Sequence, residues 1–417
     1  MEEMLERCCG LDVHKDSITA CIMVGHGKQR FKEIRTFPTF TSDIRALATW
    51  LRSHQIEFVA MESTGIYWKP VFNILEEGFD LYLVNAQHVK QVPGRKTDVK
   101  DSEWLCKLLK CGLLRKSFIP PKAIMRLREL TRYRQKLVRQ LGSEKNRLIK
   151  ALENANIKLS SVFSDVFGKT CWDIVSKIVA GETDLEKLTC NINKHVRASR
   201  NDIKKALDGS LESEDMKMLS MMMDHVRYLQ KIIADVEMMI DRHLEPFQAE
   251  VKLLVTIPGV QKVGAAVIIS EIGVNMDQFK GDSQLVAWAG LCPGNNESAG
   301  KIRSSRIRKG NTHLKTGLVQ LAWASSRTKN TYLSSKYRAL SRRKGNKKAI
   351  IAIARKLLVI CYHMLKKKSS FLELGPLFLD SLESGRKAKY HLKRLQELGY
   401  EVEVREKHKE ESEQMAV

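Results

Sequence analysis

Apolar and polar positions along this chain follow two periods, first two residues and later three to four. Residues 8–24, CCGLDVHKDSITACIMV, are an apolar run with one acid in it and read as a strand. The GHGK turn leads into RFKEIRTF, which predicts a hairpin. TSDIRALATWLRSH then takes up helical spacing behind a capping Thr or Ser. EFVAMES (57–63) predicts a buried strand ending in Glu62, IYWKPVFNILEEG a helix closed by Gly78, and DLYLVNA a further strand. Strands alternating with helices after an opening hairpin predict an α/β domain over residues 5–115.

From Pro121 the period is purely helical. Leu127, Leu130, Leu137, Leu141 and Leu148 recur at three- and four-residue steps, and a heptad stripe follows at Leu219, Met222, Val226, Leu229, Ile233, Val236 and Ile240. Two long helices pairing as an antiparallel coiled coil over 121–250 is the economical reading, with smaller helices inserted at about 155–212. Seven of fifteen methionines fall between 216 and 239. At helical spacing they read as packing residues. A mainly helical C-terminal domain spans 251–370. Its opening, LVTIPGVQKVGAAVIISEIG, has the style of a helix-hairpin-helix, and an ordinary helical hairpin explains those residues equally well. A charged tail, 371–417, is expected to form a peripheral helix.

Charge changes this picture more than hydropathy does. The chain has 71 Lys and Arg against 48 Asp and Glu, a net charge of +23. Such a surplus points to a polyanionic partner, nucleic acid before anionic membrane. From Ser298 to Leu372 there are 20 Lys or Arg and no Asp or Glu. Solvated faces normally mix signs, so one-signed charge interleaved with Trp323, Tyr332 and Tyr337 favours a nucleic-acid surface. Its candidate contacts are Arg303, Arg306, Arg308, Lys309, Arg342, Arg343 and Lys344, with Arg126 and Arg134 on the first long helix. Nine cysteines without a CxxC pair fit reduced, buried thiols. AIIAIARKLLVICYHML is too short and too charged to span a bilayer, and the N-terminus lacks a signal-peptide pattern. The expectation is a soluble, cytoplasmic, nucleoid-associated protein with no membrane partner.

Four acids carry the candidate chemistry. Asp12 sits mid-strand in GLDVHK, Glu62 ends a later strand, and Asp98 and Asp101 open a helix in KTDVKDSEWLCKLLKCG. Each alone has an ordinary role in a turn, a cap or a helix dipole. Together they follow the order of ribonuclease-H-type nuclease domains, in which converging carboxylates bind two Mg²⁺ ions. Lys96 and Lys100 are secondary neutralisers of the paired acids.

GLDVHKDS, MESTGIYWKPV and PGRKTDVKDSEWL resemble the DEDD motifs of transposases of the insertion sequence 110 family, whose N-terminal domain is RuvC-like. The later stretch from TIPGVQKVGAAVIISEIG to KTGLVQLAWASSR resembles their C-terminal transposase domain. The resemblance covers roughly residues 8–150 and 251–345. It implies a serine nucleophile completing a composite site with the four acids, and the motif serine falls on Ser298 in NNESAGK; Ser304 and Ser305 are weaker alternatives. It further implies Mg²⁺ as cofactor, donor and target DNA as substrates, and a non-coding bridge RNA as guide. Because strand exchange handles four DNA ends, a tetramer built as a dimer of dimers is expected. Two other readings compete: a metal-only RuvC-like structure-specific nuclease, in which Ser298 is a turn residue, and a non-catalytic nucleic-acid-binding scaffold, in which the acids are structural.

Overall fold

The computed structural model describes residues 3–402 apart from 28–29, 64, 87–88, 90–100, 118, 295, 300 and 305. The chain divides into two compact units, Met1–Ile119 and Pro120–Val417. The first is a mixed sheet covered by helices and the second is mostly helical.

The sheet is built from β1 (Arg7–Val13), β2 (Ile18–Val24), β3 (Phe31–Phe37), β4 (Phe58–Glu62) and β5 (Asp80–Val84), in the order β3-β2-β1-β4-β5. The first three strands pair antiparallel, and β4 and β5 join in parallel. The run 8–24 is therefore two strands, not one. The polar His14–Ser17 segment makes the turn, with the His14 N–H donating to the Ser17 carbonyl at 2.9 Å. This β1–β2 hairpin moves Asp12 from mid-strand to a strand end.

Alternation assigns the two faces. Cys9, Leu11, Val59 and Met61 pack with Ile44, Leu47 and Leu75 from α1 (Thr41–Ser53) and α2 (Trp68–Leu75). Cys8, Cys21 and Ala60 point the other way, onto Trp104, Leu105 and Leu108 of α3 (Asp101–Lys110). The expected Thr or Ser cap on α1 is not used: Phe40 holds the N-cap position without a side-chain hydrogen bond.

In the second unit, α4 (Lys122–Asn154) and α9 (Ser213–His243) pack along each other in antiparallel sense. Arg134 pairs with Glu237 at 2.6 Å and Glu144 with His225 at 3.5 Å, so the partners descend on α9 as they ascend on α4. Leu219, Val226, Leu229, Val236 and Ile240 are buried as the heptad stripe predicts, but Met223 takes the buried place assigned to Met222. The methionines do not all pack. Met218, Met221, Met238 and Met239 are exposed, since they lie off the stripe that meets α4. Between the long helices, α5 (Leu159–Val162), α6 (Lys169–Val179), α7 (Leu185–Leu188) and α8 (Arg200–Ala206) enclose Cys171, Ile174, Val175 and Ile203, a core continuous with Leu148, Leu152 and Met223.

The remaining helices are α10 (Gln248–Val255), α11 (Lys262–Ile272), α12 (Asp282–Trp288), α13 (Thr312–Arg327), α14 (Tyr332–Lys344), α15 (Asn346–Lys367) and α16 (Phe378–Glu397). A short hairpin, β6 (Asn296–Ser298) and β7 (Lys301–Ser304), precedes α13. The Pro258–Gly259 turn joins α10 to α11. Gly259 has φ of +84°, and a Cβ there would stand 2.5 Å from the Ser325 nitrogen, so only glycine lets the turn seat on α13. The apolar stretch in α15 lies in the core through Ile353, Ala354, Leu357, Leu358 and Cys361. Among the described residues no helix is long and apolar enough to cross a membrane.

Candidate active site and nucleic-acid surface

β1 and β4 run parallel, in register from Cys8 beside Phe58 to Leu11 beside Met61. Asp12 and Glu62 come next in each strand, so they take equivalent positions at one end of two neighbouring strands. By alternation both belong to the face that carries α3. The Asp12 carboxylate is 30% exposed and bonded through Oδ2 to His14 Nε2 at 3.2 Å. Asp101 is exposed and begins α3.

Two residues aim α3 at this end, and the reading of the sequence singled out neither. Gly10 is one: a Cβ there would lie 2.2 Å from the Ser102 carbonyl and 2.5 Å from the Cys106 nitrogen. Helix and strand touch backbone to backbone. A glycine inside a strand signals such close approach and was the available clue. Lys110 is the other, buried at the far end of α3. Its Nζ donates to the carbonyls of Leu5 at 2.9 Å, Glu6 at 3.3 Å and Gly25 at 2.7 Å, tying that end to the entry of β1. The helix thus runs antiparallel to β1, with Asp101 directed to the end that holds Asp12 and Glu62.

Asp98, Lys96 and Lys100 lie outside the described residues. Among the described residues no group of three His, Cys, Asp or Glu stands close enough to hold a metal ion. The donor chemistry is of the kind a hard divalent cation takes: Asp12 and Glu62 near the ends of two neighbouring strands and Asp101 at the start of a helix all offer carboxylate oxygens.

Ser298 closes β6 and pairs with Lys301 of β7, so it stands at the tip of a tight hairpin. Ala299, next in the turn, has φ of +50°, a left-handed conformation that alanine adopts only under strain. Strained backbone gathers at functional sites. Ser304 faces Asn296 across the hairpin, and its hydroxyl oxygen accepts the Arg306 N–H at 3.3 Å, which gives it a turn-forming role. Ser305 lies outside the described residues.

The basic stretch divides by environment. Arg306, Arg308 and Lys309 are exposed after the hairpin, and Arg342, Arg343 and Lys344 are exposed in the last turn of α14; Arg303 lies on β7. Among the described residues, Lys368 is the one cation of this stretch held by an acid, Glu250 at 2.7 Å. Arg126 is exposed on α4 beside Glu129 at 3.5 Å. Arg134 is committed to the helix pair through Glu237, which leaves it less free for phosphate than its sequence position implied. Tyr332 is 6% exposed and packs edge-on to Phe378, so it belongs to the core and not to the surface.

Beneath this surface lies a buried acid that the sequence reading did not select. Glu271 of α11 is 1% exposed. Its carboxylate accepts both Arg132 Nε at 2.7 Å and Nη2 at 2.8 Å, and also Asn311 Nδ2 at 2.6 Å, with Arg128 Nε 3.8 Å away. Asn311 in turn caps α13 by accepting the His313 and Leu314 N–H groups at 3.0 Å. Burial works to raise the Glu271 pKa. The bonds and charge of Arg132, then Asn311 and the Arg128 charge, outweigh burial and hold the carboxyl below its usual range. One carboxylate therefore joins α4, α11 and the start of α13.

Two family models match separate stretches of the chain. A family model for DEDD transposases of the IS110 type, described as "Transposase", matches residues 9–157. Another, described as "Transposase IS116/IS110/IS902 family", matches residues 251–338. The chain is also similar to the putative transposase y4pF/y4sB of Sinorhizobium fredii (strain NBRC 101917 / NGR234), with 29% identity over 125 residues. That match takes in 29% of this chain and spans 32% of the relative's length.

Proposed function

The chain belongs to the IS110 family of transposases, and from that premise we propose that it cuts and rejoins DNA through a serine-linked intermediate. Asp12, Glu62, Asp98 and Asp101 are the carboxylates, and Ser298 is the nucleophile. The observation that supports the reading is the placement of Asp12 and Glu62 at equivalent positions on neighbouring parallel strands, with the start of α3, and so Asp101, toward the same end of the sheet.

Those carboxylates would hold Mg²⁺, which would supply positive charge to the scissile phosphate and ease loss of the attacking hydroxyl's proton. The chain's own residues do the rest. Ser298 Oγ forms a bond to phosphorus, and the bond from phosphorus to the neighbouring sugar oxygen breaks. The hydroxyl proton leaves as the first bond forms, and the departing sugar oxygen takes one up. Attack by a second DNA hydroxyl reverses the step and frees the serine. The number of phosphate ester bonds is conserved, so no nucleotide hydrolysis is required. Exposed cations after the hairpin and on α14 neutralise backbone phosphates.

The reading extends to a guide RNA, whose base pairing would choose donor and target while the protein reads backbone shape. It extends to self-association of the long helix pair as a coiled coil, giving a tetramer for four DNA ends. The test is recombination between plasmid-borne donor and target by Asp12→Asn and Glu62→Gln proteins that remain folded. Loss of recombination with nucleic-acid binding retained is expected; near-normal recombination by either variant would refute the assignment.

A further inference from the structure

The two aromatic types interleaved in the basic stretch have opposite fates. Tyr332 is in the core, whereas Trp323 on α13 is 37% exposed and is the one exposed tryptophan of the chain's six. Its exposure alone is ordinary for so large a side chain; its setting among cations is what sets it apart. It is also held in place. Tyr337 meets it edge-on with ring centroids 5.8 Å apart, and the Arg327 guanidinium lies 5.7 Å from its ring centre.

Gln320 and Arg327 stand one turn to either side of Trp323 on the helix. Gln320 also lines a groove of about 480 Å³, together with Ala324 of α13, Thr328 just after that helix and Gln261 just before α11. That volume falls in the range of small-molecule pockets, roughly 300–1,000 Å³. Glutamine amides offer one donor and one acceptor side by side, the pattern that base edges present. Exposed Lys329 and the Arg342–Lys344 cluster belong to the same acid-free stretch, which favours a polyanionic chain over a free apolar ligand.

We propose that Trp323 is a stacking platform for an unpaired nucleobase of a single-stranded or looped nucleic acid, with the amides of Gln261 and Gln320 at the base edge. Arg327 completes the stack from its side of the ring and contacts the adjoining phosphate. The inference rests on the nucleic-acid-binding part of the proposed function and adds a role that neutralising backbone charge does not require. Stacking is sequence-tolerant, so the platform accepts any base and discriminates paired from unpaired strands.

The test uses the full chain with unstructured single-stranded RNA and DNA oligonucleotides and a duplex of equal length. Trp323→Ala is expected to weaken single-strand binding by about 5- to 150-fold, the span of one stacked base. Trp323→Phe is expected to recover part of the loss, and duplex affinity and its salt slope are expected to stay unchanged. Photocrosslinking of an oligonucleotide carrying 5-iodouracil, mapped by peptide mass spectrometry, is expected to mark Trp323. The RNA and DNA arms identify which strand supplies the base. Single-strand binding unchanged in Trp323→Ala, or equal losses on single strand and duplex, would overturn the platform and leave the basic surface standing. A wild-type chain that binds neither strand nor duplex would overturn both.

Discussion

Replacing Glu271 disturbs the one buried charge that three helices share. In Glu271→Ala, Arg132 loses two carboxylate bonds and Asn311 loses its acceptor, while Arg128 keeps its bonds to the Ser270 and Glu271 carbonyls at 2.8 Å. Breaking a buried pair by removing one partner costs about 3–5 kcal/mol. The lower end applies here, because the Arg132 side chain is 36% exposed and regains water. About 3 kcal/mol corresponds to a fall in Tm of roughly 6–12 °C for a unit of this size. Glu271→Gln keeps the shape and an acceptor but loses the charge, so about 1.5 kcal/mol is expected. The pH dependence has a definite sign. A carboxyl whose folded pKa is depressed contributes stability that is fully present above its unfolded pKa, near about 4.3, and lost as pH falls through the folded value. The gap between wild type and Glu271→Gln should therefore stay constant from neutral pH to roughly pH 5 and close in stronger acid. Urea unfolding followed by circular dichroism at several pH values measures it. A Glu271→Ala protein within about 0.5 kcal/mol of wild type at neutral pH would refute the reasoning.

Gly10→Ala forces a methyl group to within 2.2 Å of the Ser102 carbonyl, so α3 must shift; a loss of about 1–3 kcal/mol in thermal melts is expected, with recombination falling further than stability. Gly10→Ala melting like wild type would contradict the close docking of helix on strand. Replacing Arg342, Arg343 and Lys344 by Ala should weaken duplex binding and lower the slope of log affinity against log salt by about 2.7, if all three meet phosphates. An unchanged slope would assign that cluster to a surface unconnected with nucleic acid.

What could be read from the sequence, and what could not, divides along local and long-range physics. The strand-end acids were legible in part because order along the chain survives without knowledge of packing: Glu62 closes its strand as expected, and Asp12 lies in the first strand. Its place in the strand was misjudged, because His14–Ser17 carries no Gly, Pro or Asn to mark the turn and the flanking residues are continuously apolar. Glu271 was illegible for the opposite reason. Its partner Arg132 lies 139 residues away, and an acid in a helix reads as a solvent position until both helices are placed. Tyr332 and Trp323 sit nine residues apart in the same basic stretch, and only packing against Phe378 separates a core ring from an exposed one. Heptad spacing located the buried side of α9 but not which of three consecutive methionines, Met221 to Met223, would fill it.

The central claim is the serine-linked intermediate, and trapping the covalent product tests it most directly. The full chain is incubated with guide RNA, Mg²⁺ and a donor DNA nicked so that cleavage cannot be reversed, and the protein–DNA product is digested and mapped by mass spectrometry. The account predicts a phosphodiester on Ser298, and no adduct with Ser298→Ala although that protein still binds DNA. Efficient cleavage without any adduct, or an adduct on Ser304 or Ser305, would contradict it.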